Sequence, residues 1–300
     1  MDRIIRTITT DGSIMAAAVD SSDLVYMAQK LHGTSPVATA ALGRLLTGAS
    51  IMGTMLKKED AAVTLKINGG GPLGSVVAIG DGRGNVRGYV ENPTLDLPLA
   101  PNGKLAVGAA VGRDGRLSVV RDLGEGEPYV GQVEIISGEI AEDITNYYAT
   151  SEQIPTVCAL GVLVNKDTGK AMLAGGLLIQ LLPGATNEVL TRLEANIAKL
   201  EPVTTVLAKG MDSEAMARKA LEGFEVEVLD SYPVHYRCTC SKDRVQAAIA
   251  TLQPEEVEHL ADERGVMEAH CQYCNRTYTF TRSELEELAA DIRRQKAENN

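Results

Sequence analysis

The residues best able to do chemistry are two close cysteine pairs near the C-terminus. They are Cys238-Thr239-Cys240 and Cys271-Gln272-Tyr273-Cys274, with thirty residues between them. Four thiolates from two such pairs can surround one Zn²⁺ tetrahedrally at ~2.3 Å per Zn–S bond. His235 and His270 flank the pairs and could replace a thiolate. With four cysteines available they read better as solvated or hydrogen-bonded neighbours of the site. A static structural zinc is the simplest reading of any such cluster. The first pair leans the other way, because CxC is tighter than the CxxC of structural ribbons and both pairs could close into short-range disulfides. Zinc holds cysteine as thiolate, the species that oxidants attack. Oxidation would consume the ligands in pairs and expel the metal. It would also remove a binding free energy that is simultaneously folding free energy, ~10–16 kcal/mol in small zinc peptides. Residues 233–300 contain Phe280 as their only Phe. So small a unit needs a staple, and oxidation is expected to unfold it.

The rest of the chain offers less. Cys158, in the apolar run Val157-Cys158-Ala159-Leu160, reads as a buried small hydrophobe. The glycine-rich stretches Asn68–Gly74 and Gly80–Gly84 lack the context of phosphate-binding loops and are better explained as hairpin turns. Asp81, Arg83 and Asn85 alternate as in a calcium loop, but Arg83 would place positive charge among the ligands. His32 is the one histidine outside the cysteine module, so no Ser–His–Asp set can be assembled and no enzyme is expected. It precedes Gly33 at an expected helix end, where it can meet the last carbonyls. Tyr147-Tyr148 reads as packing on a helix face.

Three parts position these residues. Residues 1–180 alternate β-prone runs such as Val63, Leu65 and Ile67 with tight turns at Asn68–Pro72, Gly80–Gly82, Arg113–Gly115 and Asn165–Gly169. Ser35-Pro36 opens a helix carrying Leu42, Leu45, Leu46, Ala49 and Met52, and a second helix runs from about Glu139 to Tyr148. This part is an α+β core domain. Residues 181–232 read as a helical linker. One helix opened by Thr186-Asn187 presents Leu190, Leu193, Ile197 and Leu200, and another covers Ser213 to Glu222. Two helices with one apolar stripe each must lie against a neighbour, and such a docked segment can be released. Residues 233–300 form the four-cysteine zinc-binding module, with a helix from Ser241, a helix from Pro254, a hairpin around Gln272–Asn275 and a closing helix. Thr281-Arg282-Ser283-Glu284 supplies the last helix's capping box.

Composition narrows the functional classes. The 300 residues carry a formal net charge of −11, with 29 Lys+Arg against 40 Asp+Glu. That acidity disfavours a phosphate-neutralising surface, so no nucleic-acid partner is expected. The longest apolar stretch, Ala171–Leu182, is too short to span a bilayer, so no membrane association is expected. The start shows no secretory signal, and a cytoplasmic location, where thiols stay reduced, is expected.

The CxC and distant CxxC, behind a helical connector and an α+β core, resemble the redox-regulated heat-shock chaperones of about thirty-three kilodaltons. Other stretches similar to that family are Arg3-Ile4-Ile5-Arg6, Thr34-Ser35-Pro36, Lys66–Pro72 and Asn146–Pro155. The resemblance covers the whole chain. It implies an ATP-independent holdase of the oxidative stress response, inactive while reduced and zinc-bound. Cys238, Cys240, Cys271 and Cys274 match the family's ligands for one zinc. Oxidation is then expected to link Cys238 to Cys240 and Cys271 to Cys274, release zinc, and unfold first the module and then the connector. Exposed apolar surface would capture unfolding client proteins, and the active form would be a homodimer. The stripe Leu190, Leu193, Ile197 and Leu200 is the expected client-binding surface, covered at rest. Two other readings compete. A zinc ribbon binding nucleic acid could use Arg237, Lys242, Arg244 and Arg276. A thiol–disulfide oxidoreductase would need a thioredoxin-like βαβ unit near one pair, and none is visible.

Overall fold

Small residues crowd the segment after Ser35-Pro36, and their place in the fold explains why. In the computed structural model, which describes residues 1–56 and 58–298, Pro36–Thr54 is one helix buried at every position except Pro36 and Arg44. The Ser35 hydroxyl accepts from the Ala38 amide, and Pro36 occupies the first turn. The sequence suggests one apolar face. The helix is apolar all round because it lies between two sheets, which bury both of its sides. A Cβ added at Gly43 would sit 2.8 Å from a methyl of Val25 and 2.9 Å from one of Val162.

The chain divides into two units, Met1–Arg237 and Cys238–Asn300. In the first, the strands are β1 (Arg3–Thr9), β2 (Ile14–Asp20), β3 (Ala62–Gly70), β4 (Val76–Asp81), β5 (Val86–Val90), β6 (Gly112–Asp122), β7 (Tyr129–Glu134), β8 (Thr156–Val164), β9 (Ala171–Leu181) and β10 (Val226–Pro233). Its helices are α1 (Ser22–His32), α2 (Pro36–Thr54), α3 (Val107–Val111), α4 (Ala141–Tyr147), α5 (Asn187–Ile197), α6 (Val203–Ala208) and α7 (Ser213–Ala220). Two antiparallel sheets result, ordered β10-β1-β2-β9-β8 and β5-β4-β3-β6-β7. The mixed α+β architecture is as expected. The second unit holds α8 (Lys242–Ile249), α9 (Pro254–Glu258), the hairpin β11 (Val266–His270) with β12 (Thr277–Thr281), and α10 (Arg282–Glu298). Residues 299 and 300 of the expected 233–300 module lie outside the described residues.

Both faces of the first sheet are covered. Successive strand residues point to opposite faces, so Ile4 enters the core between the sheets while Ile5 enters a second core. That second core joins Ile14, Ala16, Ala18, Leu177 and Ile179 to Leu193, Val206, Leu207 and Met216 of α5, α6 and α7. Residues 181–232 therefore do lie against a neighbour, but they are not wholly helical. After three helices comes β10, which pairs with β1 from Arg3↔Pro233 to Thr9↔Val226 around a bulge at Arg6/Thr7.

The glycine-rich stretches serve backbone packing. Gly69 pairs with Gly112, and a Cβ on Gly69 would lie 2.2 Å from the Gly112 carbonyl oxygen. Arg113–Gly115, expected as a turn between strands, bulges out of β6 instead, since Asn68 pairs with Arg116 and Gly69 with Gly112. Asp81 turns the β4–β5 hairpin, its carboxylate accepting from the Arg83 and Asn85 amides at 3.0 and 2.9 Å.

Asp2 ties the chain's start to α1. Its carboxylate accepts from the amides of Asp23 and Leu24 at 2.9 and 2.7 Å, and its carbonyl accepts from the Val234 amide. Burial, opposed by those two hydrogen bonds and reinforced by Asp20 and Asp23, pushes the carboxyl up to about 7. A group raised in the folded state contributes stability that is complete below its unfolded pKa of ~4 and is lost as pH rises through the folded value. Asp2→Asn should therefore flatten the fall in urea-unfolding free energy of the full chain between about pH 4 and about pH 7. An unchanged slope would remove Asp2 as its source.

Candidate metal centre

The second unit has one small core: Ile249, Val257, Phe280, Leu285, Leu288, Ala289 and Ile292. Around it, short-range chemistry shapes the cysteine turns. The CxxC knuckle follows β11, with the Cys271 amide donating to the Arg276 carbonyl at 2.9 Å and the Asn275 amide to the Cys271 carbonyl at 2.9 Å. Asn275 takes the left-handed conformation (φ 57°) that closes the turn, one that asparagine tolerates better than most residues. After the CxC turn, Ser241 caps α8 through Arg244's amide, and the Arg244 guanidinium donates to the Thr239 hydroxyl at 2.7 Å. The capping box of α10 is formed as expected. Thr281's amide donates to the Glu284 carboxylate at 2.7 Å, and Glu284's amide donates to the Thr281 hydroxyl at 3.3 Å.

These turns bring all four sulfurs together. Cys238, Cys240, Cys271 and Cys274 place their Sγ atoms within 4.8 Å of one another. Cys238 lies 3.7 Å from Cys271, and Cys240 lies 3.3 Å from Cys274. A tetrahedron with ~2.3 Å bonds has edges of about 3.8 Å, so the cluster is close to the size a bound ion requires. Four partly buried thiols can hold a metal ion, and an all-sulfur set suits a soft or borderline cation. His270 stays outside the set, its ring nitrogens 3.3 Å from Thr277 Oγ1 and 3.3 Å from Asn275 Oδ1.

The sulfurs are not equivalent. The Tyr278 hydroxyl donates to Cys240 Sγ at 3.1 Å. Burial raises the Cys240 thiol, but donation from Tyr278 and the neighbouring cysteines outweighs it and brings the group down to about 7. Burial and donation toward Cys240 push Cys274 up to about 12. Tyr278 escaped the sequence reading, which sought only ligands. Its spacing of two from Phe280 on a β-prone run was the available signal.

Other expected sites behave differently. Cys158 pairs with Leu178 in the first sheet and packs against the core only part-buried rather than fully buried as expected, and loss of solvation pushes its thiol up to about 12. Tyr147 and Tyr148 are both buried, edge to face at 5.4 Å. His32 ends α1 before a left-handed Gly33, with its ring nitrogen 3.0 Å from the Tyr236 hydroxyl. The linker stripe divides. Leu193 is buried and Ile197 and Leu200 pack on the second core, as expected of a covered face. Leu190 departs from that expectation, being 37% exposed. It borders a cavity of about 450 Å³ with Ile154, Pro155, Leu181, Leu182 and Pro183, where the chain leaves β9. Among the described residues no helix is long and apolar enough to cross a membrane.

Comparison with known proteins places this architecture. The family model described as Hsp33 protein matches residues 2–281. The 33 kDa chaperonin of Bacillus licheniformis is 46% identical over 292 residues, spanning 97% of this chain and 100% of that protein. That of Acetivibrio thermocellus is 45% identical over 296 residues, spanning 99% of each. The crystal structure of the 33 kDa chaperonin from Thermotoga maritima superposes with a TM-score of 0.87 at 34% identity, covering 96% of this chain and 98% of that one. The match runs from the first strand through all four clustered cysteines to the start of the closing helix, and the chain belongs to the Hsp33 family.

Proposed function

We propose that this chaperone is a redox-regulated, ATP-independent holdase whose reduced form binds one Zn²⁺ through Cys238, Cys240, Cys271 and Cys274 and is inactive. The observation that carries the reading is the convergence of four sulfurs in a unit whose own core is seven buried apolar side chains. Bound Zn²⁺ supplies the crosslink that so small a core lacks. Each pair, Cys238–Cys240 and Cys271–Cys274, can give two electrons to a peroxide. Two thiolates, one peroxide and two protons become one disulfide and two waters. Two such events consume all four donors and leave the unit without its staple.

The consequence reaches the connector. Helices α5, α6 and α7 cover an apolar face of the first sheet, with Leu193 and Ile197 against it from α5 and Leu200 from the segment after α5, where the expected helix has already ended. Release of these helices would present both surfaces to unfolding clients, and contiguous apolar surface of that kind binds other chains. The active, oxidised form is proposed to be a homodimer, and the reducing cytoplasm proposed as its location keeps the switch in its off state at rest.

Light scattering of a heat-denatured client, followed with reduced and with peroxide-treated protein while zinc release is monitored, tests this. Oxidation should free one zinc per chain and suppress aggregation, and only the oxidised form should protect. Equal protection by the reduced form, or zinc loss with no gain, would sink the switch. Steeply salt-dependent retention on nucleic acid would favour the zinc-ribbon reading.

A further inference from the structure

One residue beside the cluster is not a donor to metal yet is built to hold one. Tyr278 lies on β12 opposite Ala269, with exposed Thr277 and Thr279 on either side and buried Phe280 next on its own face. Its ring packs on the core that contains Phe280, and its hydroxyl emerges at Cys240 Sγ, 3.1 Å away. An aromatic body in the core with a polar tip on a partner is a rigid arrangement, because two torsions fix it. The Arg276 side chain brings positive charge beside Tyr278, Cys240 and Cys274, which favours donation of the hydroxyl toward the sulfur.

We propose that Tyr278 is a positioning residue that fixes the Cys240 sulfur within the cluster, strengthening metal retention and shielding that sulfur from electrophiles. A hydrogen bond to a thiolate draws on the lone pairs an electrophile would use, and it costs nothing to the geometry of the other three donors. Partners of this kind outside the ligand set typically change metal affinity by ~10–100-fold when removed. The proposal rests on the zinc-switch reading and adds to it a sulfur-by-sulfur order. Cys240 is the guarded ligand, and the guard is a side chain that nothing in the CxC or CxxC spacing announces.

Tyr278→Phe tests it in the full-length reduced chain, because the ring that packs on the core is retained. Three measurements are paired: zinc affinity by chelator competition, N-ethylmaleimide labelling resolved by cysteine, and hydrogen exchange of β12 and α10. Zinc affinity should weaken by about tenfold. Cys240 should label several-fold faster and ahead of the other three, with exchange protection unchanged. Unchanged affinity and Cys240 labelling would overturn the proposal. So would equal acceleration of all four cysteines with lost protection, which would make Tyr278 a packing residue only. Arg276→Gln, at an exposed position, provides a second variant that leaves the core alone. It should speed Cys240 labelling in the same direction, and no effect would overturn the supporting role of the Arg276 charge. Wild-type protein that neither binds zinc nor releases it on peroxide treatment would bring down the switch and this proposal together. A normal wild-type switch beside a silent Tyr278→Phe overturns the proposal alone.

Discussion

Cys271→Ser is expected to unfold the second unit in fully reduced protein while the core of the first unit around α2 stays folded. Serine keeps the backbone groups of Cys271 that close the knuckle, so what the change removes is one thiolate donor. The unit has little to replace it. Among the described residues its buried hydrophobic cluster has seven members, Phe280 its single aromatic. The ion pairs Arg293–Glu258, Arg293–Glu255 and Lys242–Glu284 are all between part-exposed or exposed side chains. Exposed pairs contribute ~0–1 kcal/mol each. A tetrahedral metal contributes ~10–16 kcal/mol in zinc peptides, far above what remains. Hydrogen exchange on the reduced full chain should therefore show β11, β12 and α10 losing most of their protection, with α2 unchanged. Chelation of the wild-type protein should give the same pattern. Protection that survives both treatments would remove the metal from its structural role.

How far the sequence could lead is itself a matter of range. The four cysteines were legible because each pair is formed within four residues, and the hairpin joining β11 to β12 sets the second pair by local turn chemistry. The helix after Ser35 was legible as a helix, but its burial on all sides depends on β4, β8 and β9, which lie far along the chain. The strand Val226–Pro233 was missed because its partner, β1, lies more than two hundred residues earlier, and the helices before it set a misleading context. Alternation at Val226 and Val228 was present, though neither residue is fully buried, so the pattern carried little weight. Leu190 was grouped with Leu193 by helical spacing. It sits in the first turn of α5, where the chain is still leaving β9, and the sheet that covers Leu193 does not reach it.

The strand β10 leads to the second large effect, since Asp230→Ala should loosen it even in reduced protein. Val228 and Leu229 are 41% and 49% exposed, so little apolar burial holds this edge strand. What clamps it is Arg6, whose guanidinium donates to both carboxylate oxygens of Asp230 and also to the Thr54 carbonyl at 2.8 Å. One side chain thus ties β10 to β1 and to the end of α2. The pair is mostly shielded, with side chains 16% and 20% exposed. Breaking a fully buried pair by removing one partner costs ~3–5 kcal/mol, and partial solvation here reduces that to on the order of 2 kcal/mol. At ~1.4 kcal/mol per decade, amide exchange across Val226–Pro233 should accelerate by about thirtyfold, while α2 is unaffected. Asp230→Asn, which keeps an acceptor for Arg6, should fall between. Unchanged exchange would show that the ladder alone holds the strand. Because β10 ends the segment proposed to be released on oxidation, reduced Asp230→Ala protein should also show part of the anti-aggregation activity of oxidised wild type. If the strand loosens and no such activity appears, release of this end of the connector is not what exposes the client-binding surface, and the apolar face under α5, α6 and α7 becomes the element whose uncovering must be measured.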